Sequence, residues 1–183
     1  MPGVLILVVG PSGVGKDTLL DGARQTLDRA RFVFPRRVIT RAEDAGGEDH
    51  QGTTPEAFAR QRADGAFALS WPAHGHDYGV PASIVDDLTA GHHVVVNVSR
   101  GVIDDARQRF PRVGVVSISA PRDALKSRLE ERGRETREDV ESRLDRAAAV
   151  TVAGDDVIDV VNDGSVEQGI ARFIAALETL AAD

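Results

Sequence analysis

The sequence predicts an α/β protein with a parallel core sheet flanked by helices. Two observations carry the expectation. Val4-Leu5-Ile6-Leu7-Val8-Val9, Val94-Val95-Val96-Asn97-Val98 and Val113-Gly114-Val115-Val116-Ser117-Ile118 are near-continuous apolar runs rich in β-branched residues. Runs of this kind read as strands buried on both faces. Segments with helical spacing separate them, and strands alternating with helices build parallel sheets.

Taken in order, the first strand ends at Gly10, and a helix is expected from about Gly15 to Arg29, with Leu19, Leu20 and Ala23 at helical spacing. Phe32 to Phe34 and Arg37 to Thr40 read as strand, with Pro35 forcing a break. Residues 41–53 are polar and Gly-rich, hence a loop. Thr54-Pro55-Glu56 starts a short helix, Pro at its first position, that runs to Ala63. Phe67 to Trp71 is a candidate strand, Gly75 to Gly79 a turn carrying Tyr78, and Pro81 the start of a helix stopped by Gly91. Val102 to Phe110 is helical after the second core strand. Helices Asp123–Arg132 and Arg137–Val150 follow the third. Val157 to Val161 is the last strand, and Ser165 caps a closing helix that runs to Leu180. No internal repeat, low-complexity stretch or linker interrupts this order.

The chain has 183 residues, which predicts one domain able to bury a sizeable core. With no cysteine there is no disulfide framework and no thiolate metal site. The leading apolar run is too short to span a bilayer, so a cytoplasmic protein without membrane contact is expected. A net charge of −7 argues against a nucleic-acid-coating surface. Of the 22 basic residues, twenty are Arg and two are Lys. Biased codon usage accounts for that as well as function does, although Arg is the residue suited to bidentate phosphate clamping.

Gly10-Pro11-Ser12-Gly13-Val14-Gly15-Lys16 fits G-x-x-x-x-G-K, the phosphate-cradling loop between a strand and a helix. The glycines let the backbone turn tightly enough to aim several N–H groups inward. The helix start adds its positive dipole end, and Lys16 reaches the β- and γ-phosphates as a point charge. The expected ligand is a nucleoside triphosphate. The position after Lys16 normally carries Ser or Thr for Mg²⁺, and here it is Asp17. That carboxylate is either the metal ligand, with Thr18 in support, or a helix-start charge favoured by the dipole.

Arg128 and Arg132 are four apart, and Arg143 and Arg146 three apart on the next expected helix. A solvated face with local ion pairs and a mobile lid closing on a triphosphate are both consistent with that spacing.

The phosphate loop resembles that of guanylate kinases. Arg128-Leu129-Glu130-Glu131-Arg132-Gly133 followed by Arg143-Leu144 resembles their lid, and Val161-Asn162-Asp163 their adenine-side segment. Val38-Ile39-Thr40-Arg41 and Tyr78-Gly79 extend the likeness over nearly the whole chain. The departures are informative. Guanylate kinases read guanine with a Glu in the segment matching Phe67–Trp71 and a hydroxyl residue after Tyr-Gly. Here stand Ala68-Leu69-Ser70 and Val80, which would leave guanine's N–H groups without acceptors. The family's second clamp Arg is replaced near Glu43-Asp44, and its Asp-x-Asp by Asn97-Val98-Ser99-Arg100.

This combination resembles the ribose 1,5-bisphosphate phosphokinase family. The resemblance implies a P-loop kinase fold, with an acceptor-binding insertion at about 36–80 and a lid at about 121–147. It implies transfer of the γ-phosphoryl group of ATP, with Mg²⁺, to the 1-phosphate of ribose 1,5-bisphosphate. It also implies service to phosphonate salvage. Gly10 to Lys16 would cradle ATP, with Asp17 and Thr18 at the metal and Asn162 beside the adenine. Arg128, Arg132 and Arg143 would close on the γ-phosphoryl group together with Lys16. Arg41, Tyr78, Arg100 and Arg37 would hold the acceptor's phosphates, and Asn97, Ser70 and His50 its hydroxyls. His50 also reads as an exposed loop residue, and His74 and His76 as solvated. Trp71 reads as core. A small-molecule substrate and a monomer or homodimer are expected. The competing functions are a guanylate kinase acting on GMP and a non-catalytic scaffold of the same fold.

Overall fold

All five side chains of Leu5–Val9 are fully buried, as an apolar strand in the middle of a sheet requires. In the computed structural model, which describes residues 1–43, 48–131 (side chains of 128–131 excepted) and 152–182, that strand is β1. There follow α1 (Lys16–Thr26), β2 (Phe32–Val33), β3 (Arg37–Ile39), β4 (His50–Gly52), α2 (Pro55–Ala63), β5 (Phe67–Ala73) and β6 (His76–Pro81). Then come α3 (Ile84–Thr89), β7 (His93–Asn97), a 3-10 turn Arg100–Val102, α4 (Ile103–Arg109), β8 (Val113–Ser119), α5 (Arg122–Glu131), β9 (Val157–Val161) and α6 (Val166–Ala182). A parallel five-stranded sheet runs in the order β2-β7-β1-β8-β9, and a four-stranded sheet in the order β4-β3-β6-β5. No helix among the described residues is long and apolar enough to cross a membrane.

The chain forms two compact units, and β1 runs through the junction of their chain segments. Met1–Leu7 with Leu27–Val113 makes the first. Its four-stranded sheet is held by β3 pairing parallel to β4 and antiparallel to β6, while β5 and β6 form a hairpin. Phe58 of α2 stacks on Phe67 of β5 with ring centroids 4.6 Å apart. Thr54 caps α2, its Oγ1 accepting from the Ala57 N–H at 3.2 Å, and Pro55 begins the helix as predicted.

Val8–Thr26 with Gly114–Asp183 makes the second unit, in which α1 packs against α6. A reciprocal capping box opens α6. Ser165 Oγ accepts from the Gln168 N–H at 3.3 Å, and Gln168 Oε1 accepts from the Ser165 N–H at 3.1 Å.

Three local expectations are corrected. The loop predicted over 41–53 contains β4, because β3 offers an unpaired ladder edge that the polar residues His50–Gly52 complete. The turn predicted at Gly75–Gly79 is confined to His74 and Gly75, with φ of 52° and 77°. Positive φ at both centres is what a two-residue type I′ hairpin demands, so Tyr78 lies in a strand. Pro81 ends β6, and the helix begins at Ile84. The helix predicted at Arg137–Val150 lies outside the described residues.

Candidate active site

The phosphate loop leaves β1 at Gly10, where chain crowding decides the residue type. A Cβ there would lie 2.5 Å from the Ile118 carbonyl oxygen, so only glycine fits. Gly13 and Gly15 hold φ of 84° and 97°, the left-handed region open to glycine. Lys16 opens α1, and its Nζ donates to the carbonyls of Gly10 at 2.8 Å and Pro11 at 2.9 Å. The ammonium thus crosses the mouth of its own loop. Asp17, next in the first turn of α1, and Thr18 are exposed. Pro11 and Gly13 are half-buried, Ser12 is exposed and Val14 is buried.

Asn162 belongs to the same unit, and it is buried. Its Nδ2 donates to the Val14 carbonyl at 2.8 Å, which ties the turn after β9 to the phosphate loop.

The first unit gathers most of the residues predicted for an acceptor. Arg37 of β3 is buried, and its guanidinium forms an ion pair with Glu48. It also donates to the Asn97 carbonyl at 2.7 Å. The same guanidinium lies over the Tyr78 ring at 5.2 Å and the Trp71 ring at 5.7 Å. Those rings are themselves stacked, nearly parallel, with centroids 5.5 Å apart. Trp71 is core as expected, and it also backs the tyrosine. Ser70 faces Gly79 across the hairpin.

His50 is 1% exposed, which overturns the exposed-loop reading. Its Nδ1 lies 3.0 Å from the Glu48 carbonyl and 3.4 Å from Arg41 Nη2. The carbonyl accepts only, so Nδ1 carries the proton, and Nε2 is left as an acceptor. Nε2 has no hydrogen-bond partner among the described residues. His76 is not a free solvated residue either: its Nδ1 bonds the Thr40 carbonyl at 2.8 Å.

Arg100 follows β7 and is half-buried. Its Nε is buried with no hydrogen-bond partner among the described residues. Burial pushes the guanidinium below the usual arginine value. A partly desolvated cation in this condition favours an anion. Arg132 and Arg143 lie outside the described residues, and of Arg128 only the backbone, within α5, is described.

Sequence reasoning missed Glu48 and the Trp71–Tyr78 stack. Glu48 stood in a polar run without periodicity, so no signal marked it. The stack follows from the hairpin register, which a His-Gly pair between two candidate strands would have given.

No protein-family model matches the chain. A Rhizobium etli protein named ribose 1,5-bisphosphate phosphokinase PhnN is 46% identical over 183 residues, which cover 99% of this chain and 92% of that protein. The chain belongs to the ribose 1,5-bisphosphate phosphokinase family. A second protein of that name, from Acidiphilium cryptum, is 52% identical over 176 residues, covering 96% of this chain and 92% of it. A Roseobacter denitrificans protein named bifunctional ribose 1,5-bisphosphokinase-thymidine phosphorylase is 47% identical over 175 residues, or 95% of this chain. The chain spans only 26% of that bifunctional protein's length. Among solved structures, a guanylate kinase from Anaplasma phagocytophilum matches with a TM-score of 0.70 at 21% identity, covering 100% of this chain and 88% of the other. The fold is therefore that of guanylate kinase-like P-loop proteins, as the phosphate loop predicts.

Proposed function

We propose that the chain transfers the γ-phosphoryl group of ATP to the 1-phosphate of ribose 1,5-bisphosphate, giving 5-phosphoribosyl 1-diphosphate and ADP. The observation that carries the reading is the glycine-turned loop Gly10–Lys16 in a chain of this family. An oxygen of the acceptor 1-phosphate forms the new bond to the γ-phosphorus, and the bond to the β–γ bridging oxygen breaks. The acceptor phosphate is already largely ionised at neutral pH, so no general base is needed. Catalysis then rests on positioning and charge neutralisation.

Lys16 exchanges its two carbonyl partners for phosphate oxygens, and Arg128, Arg132 and Arg143 close on the γ-phosphoryl group from a lid at about 121–147. Magnesium suits the chemistry of the residues present. Asp17 is an exposed carboxylate directly after Lys16. Magnesium is commonly held by one or two carboxylates together with substrate phosphates. Asp17, with Thr18 in support, would hold the ion, which when bound would supply charge neutralisation on the triphosphate.

On the acceptor side, within 36–80 and at the end of β7, Arg41, Arg100 and Tyr78 take the sugar's phosphates. Arg37 is committed to Glu48 and the Asn97 carbonyl, so it supports the site by fixing Tyr78 and Asn97. Asn97, Ser70 and His50 take hydroxyls, with His50 Nε2 as the acceptor. Leu69 and Val80 are fully buried and apolar, so these positions offer a purine base no hydrogen-bond acceptor from their side chains. The protein works in the cytoplasm in phosphonate salvage, as a monomer or homodimer, without nucleic-acid or membrane partners.

The test is a comparison of kcat/KM for ribose 1,5-bisphosphate and for GMP with MgATP as donor. Turnover of the sugar bisphosphate alone, or in large excess over GMP, is expected. Turnover of GMP alone makes the protein a guanylate kinase, and turnover of neither favours a scaffold.

A further inference from the structure

The segment after β9 is expected beside the adenine, yet the side chain of Asn162 is turned to the phosphate loop. Its position is fixed on three sides. The Asn162 N–H donates to the Ser119 carbonyl at 2.8 Å, at the end of β8. Arg172 on α6 donates to the Val161 carbonyl at 2.8 Å and to Asp163 Oδ1 at 2.6 Å, bracing the residues on either side. The amide itself lies against two glycines. A Cβ on Gly169 would come within 2.6 Å of Oδ1, and one on Gly15 within 2.8 Å of Nδ2. A side chain so placed has little freedom, and its Nδ2 donates to the Val14 carbonyl at 2.8 Å.

That hydrogen bond orients more than one atom. Val14 C=O and Gly15 N–H belong to the same planar trans peptide, in which the two groups point in opposite directions. The amide of Asn162 holds the carbonyl outward, which turns the Gly15 N–H to the other side, where an anion-binding loop needs its donors. Gly15, at φ 97°, is the hinge about which this peptide would otherwise rotate.

We propose that Asn162 is a positioning residue for the polyphosphate: it aims the Gly15 amide, and it does not read the base. The inference rests on the reading of Gly10–Lys16 as a nucleotide phosphate site. It predicts that loss of the Asn162 amide weakens a polyphosphate with no base as much as it weakens ATP.

The experiment is calorimetric titration of the purified full chain, wild type and Asn162→Ala, with ATP and with inorganic tripolyphosphate, each with Mg²⁺. The wild type binds both. Asn162→Ala loses roughly tenfold in affinity for both, by about the same factor, as expected for one hydrogen bond that orients a donor. In ¹⁵N spectra the Gly15 amide resonance moves on adding tripolyphosphate to the wild type, and moves much less in the variant. Loss confined to ATP, with tripolyphosphate unaffected, assigns Asn162 to the base and overturns the inference alone. Failure of the wild type to bind either ligand overturns the phosphate-site reading, and the inference with it. Should Asn162→Ala not fold, Gly169→Ala gives the same test. It keeps the asparagine and presses on its Oδ1, and it should weaken both ligands in parallel.

Discussion

Lys16 Nζ donates to two backbone carbonyls of its own loop, neutral acceptors that a charged phosphate oxygen outcompetes for an ammonium. Lys16→Ala should therefore leave the melting temperature nearly unchanged and lower kcat/KM by about a hundredfold or more. Steady-state kinetics beside a thermal melt checks both halves. Asp17→Asn should raise the magnesium concentration needed for half-maximal rate, read from a metal titration at fixed ATP. An unchanged titration would leave Asp17 as a helix-start charge alone. Lys16 was legible in the sequence because the phosphate loop fixes its position, whereas Asp17 departs from the Ser or Thr usual after it. Arg100 took its acceptor role from the resemblance, and the structure adds that its Nε is buried without a hydrogen-bond partner among the described residues, a physical reason for it to favour an anion. His50 was half-legible. Its residue type suggested a ligand, while its burial depends on β3–β4 pairing that no local pattern announces.

β7 carries a pH dependence of its own at the element scale. His93 opens that strand, and its Nδ1 accepts a hydrogen bond from the Val4 N–H at 3.3 Å, which only the unprotonated nitrogen can do. Burial, then the nearby Arg31, Arg112 and His92, push its pKa below the ordinary 6.5. Above pH 6.5 the folded and unfolded chains both hold the ring neutral, and His93 adds no slope. As pH falls below that value the unfolded chain takes up a proton that the folded chain resists, so stability declines. Urea titrations at about pH 8 and pH 5 should show lower stability at the acid end, with part of the difference abolished by His93→Gln. An identical pH slope in that variant would remove His93 as its source.

The core strands and the capped helices α2 and α6 were legible because each carries its signal locally: an apolar run, a Thr-Pro start, a Ser165 cap, which Gln168 completes in the structure. The acceptor-side sheet was less so. β4 is polar and β6 contains Gly79 and ends at Pro81, so both owe their form to partners rather than to propensity. The pair of buried Arg37 with half-buried Glu48 belongs to the same class. It joins residues eleven apart through a fold the sequence does not spell out.

For the whole molecule, the chain belongs to the ribose 1,5-bisphosphate phosphokinase family and has a guanylate kinase-like fold, with Leu69 and Val80 fully buried. The chain also matches a bifunctional relative of which it spans 26%, so the same frame occurs within a longer protein. The central claim concerns where the phosphoryl group goes. It is tested most directly by ³¹P NMR of a reaction holding MgATP and ribose 1,5-bisphosphate. The account predicts two new coupled doublets of a diphosphate at C1, an unaltered 5-phosphate resonance, and ADP in equal amount. ADP accompanied only by orthophosphate, with the sugar's two resonances unchanged, would contradict it.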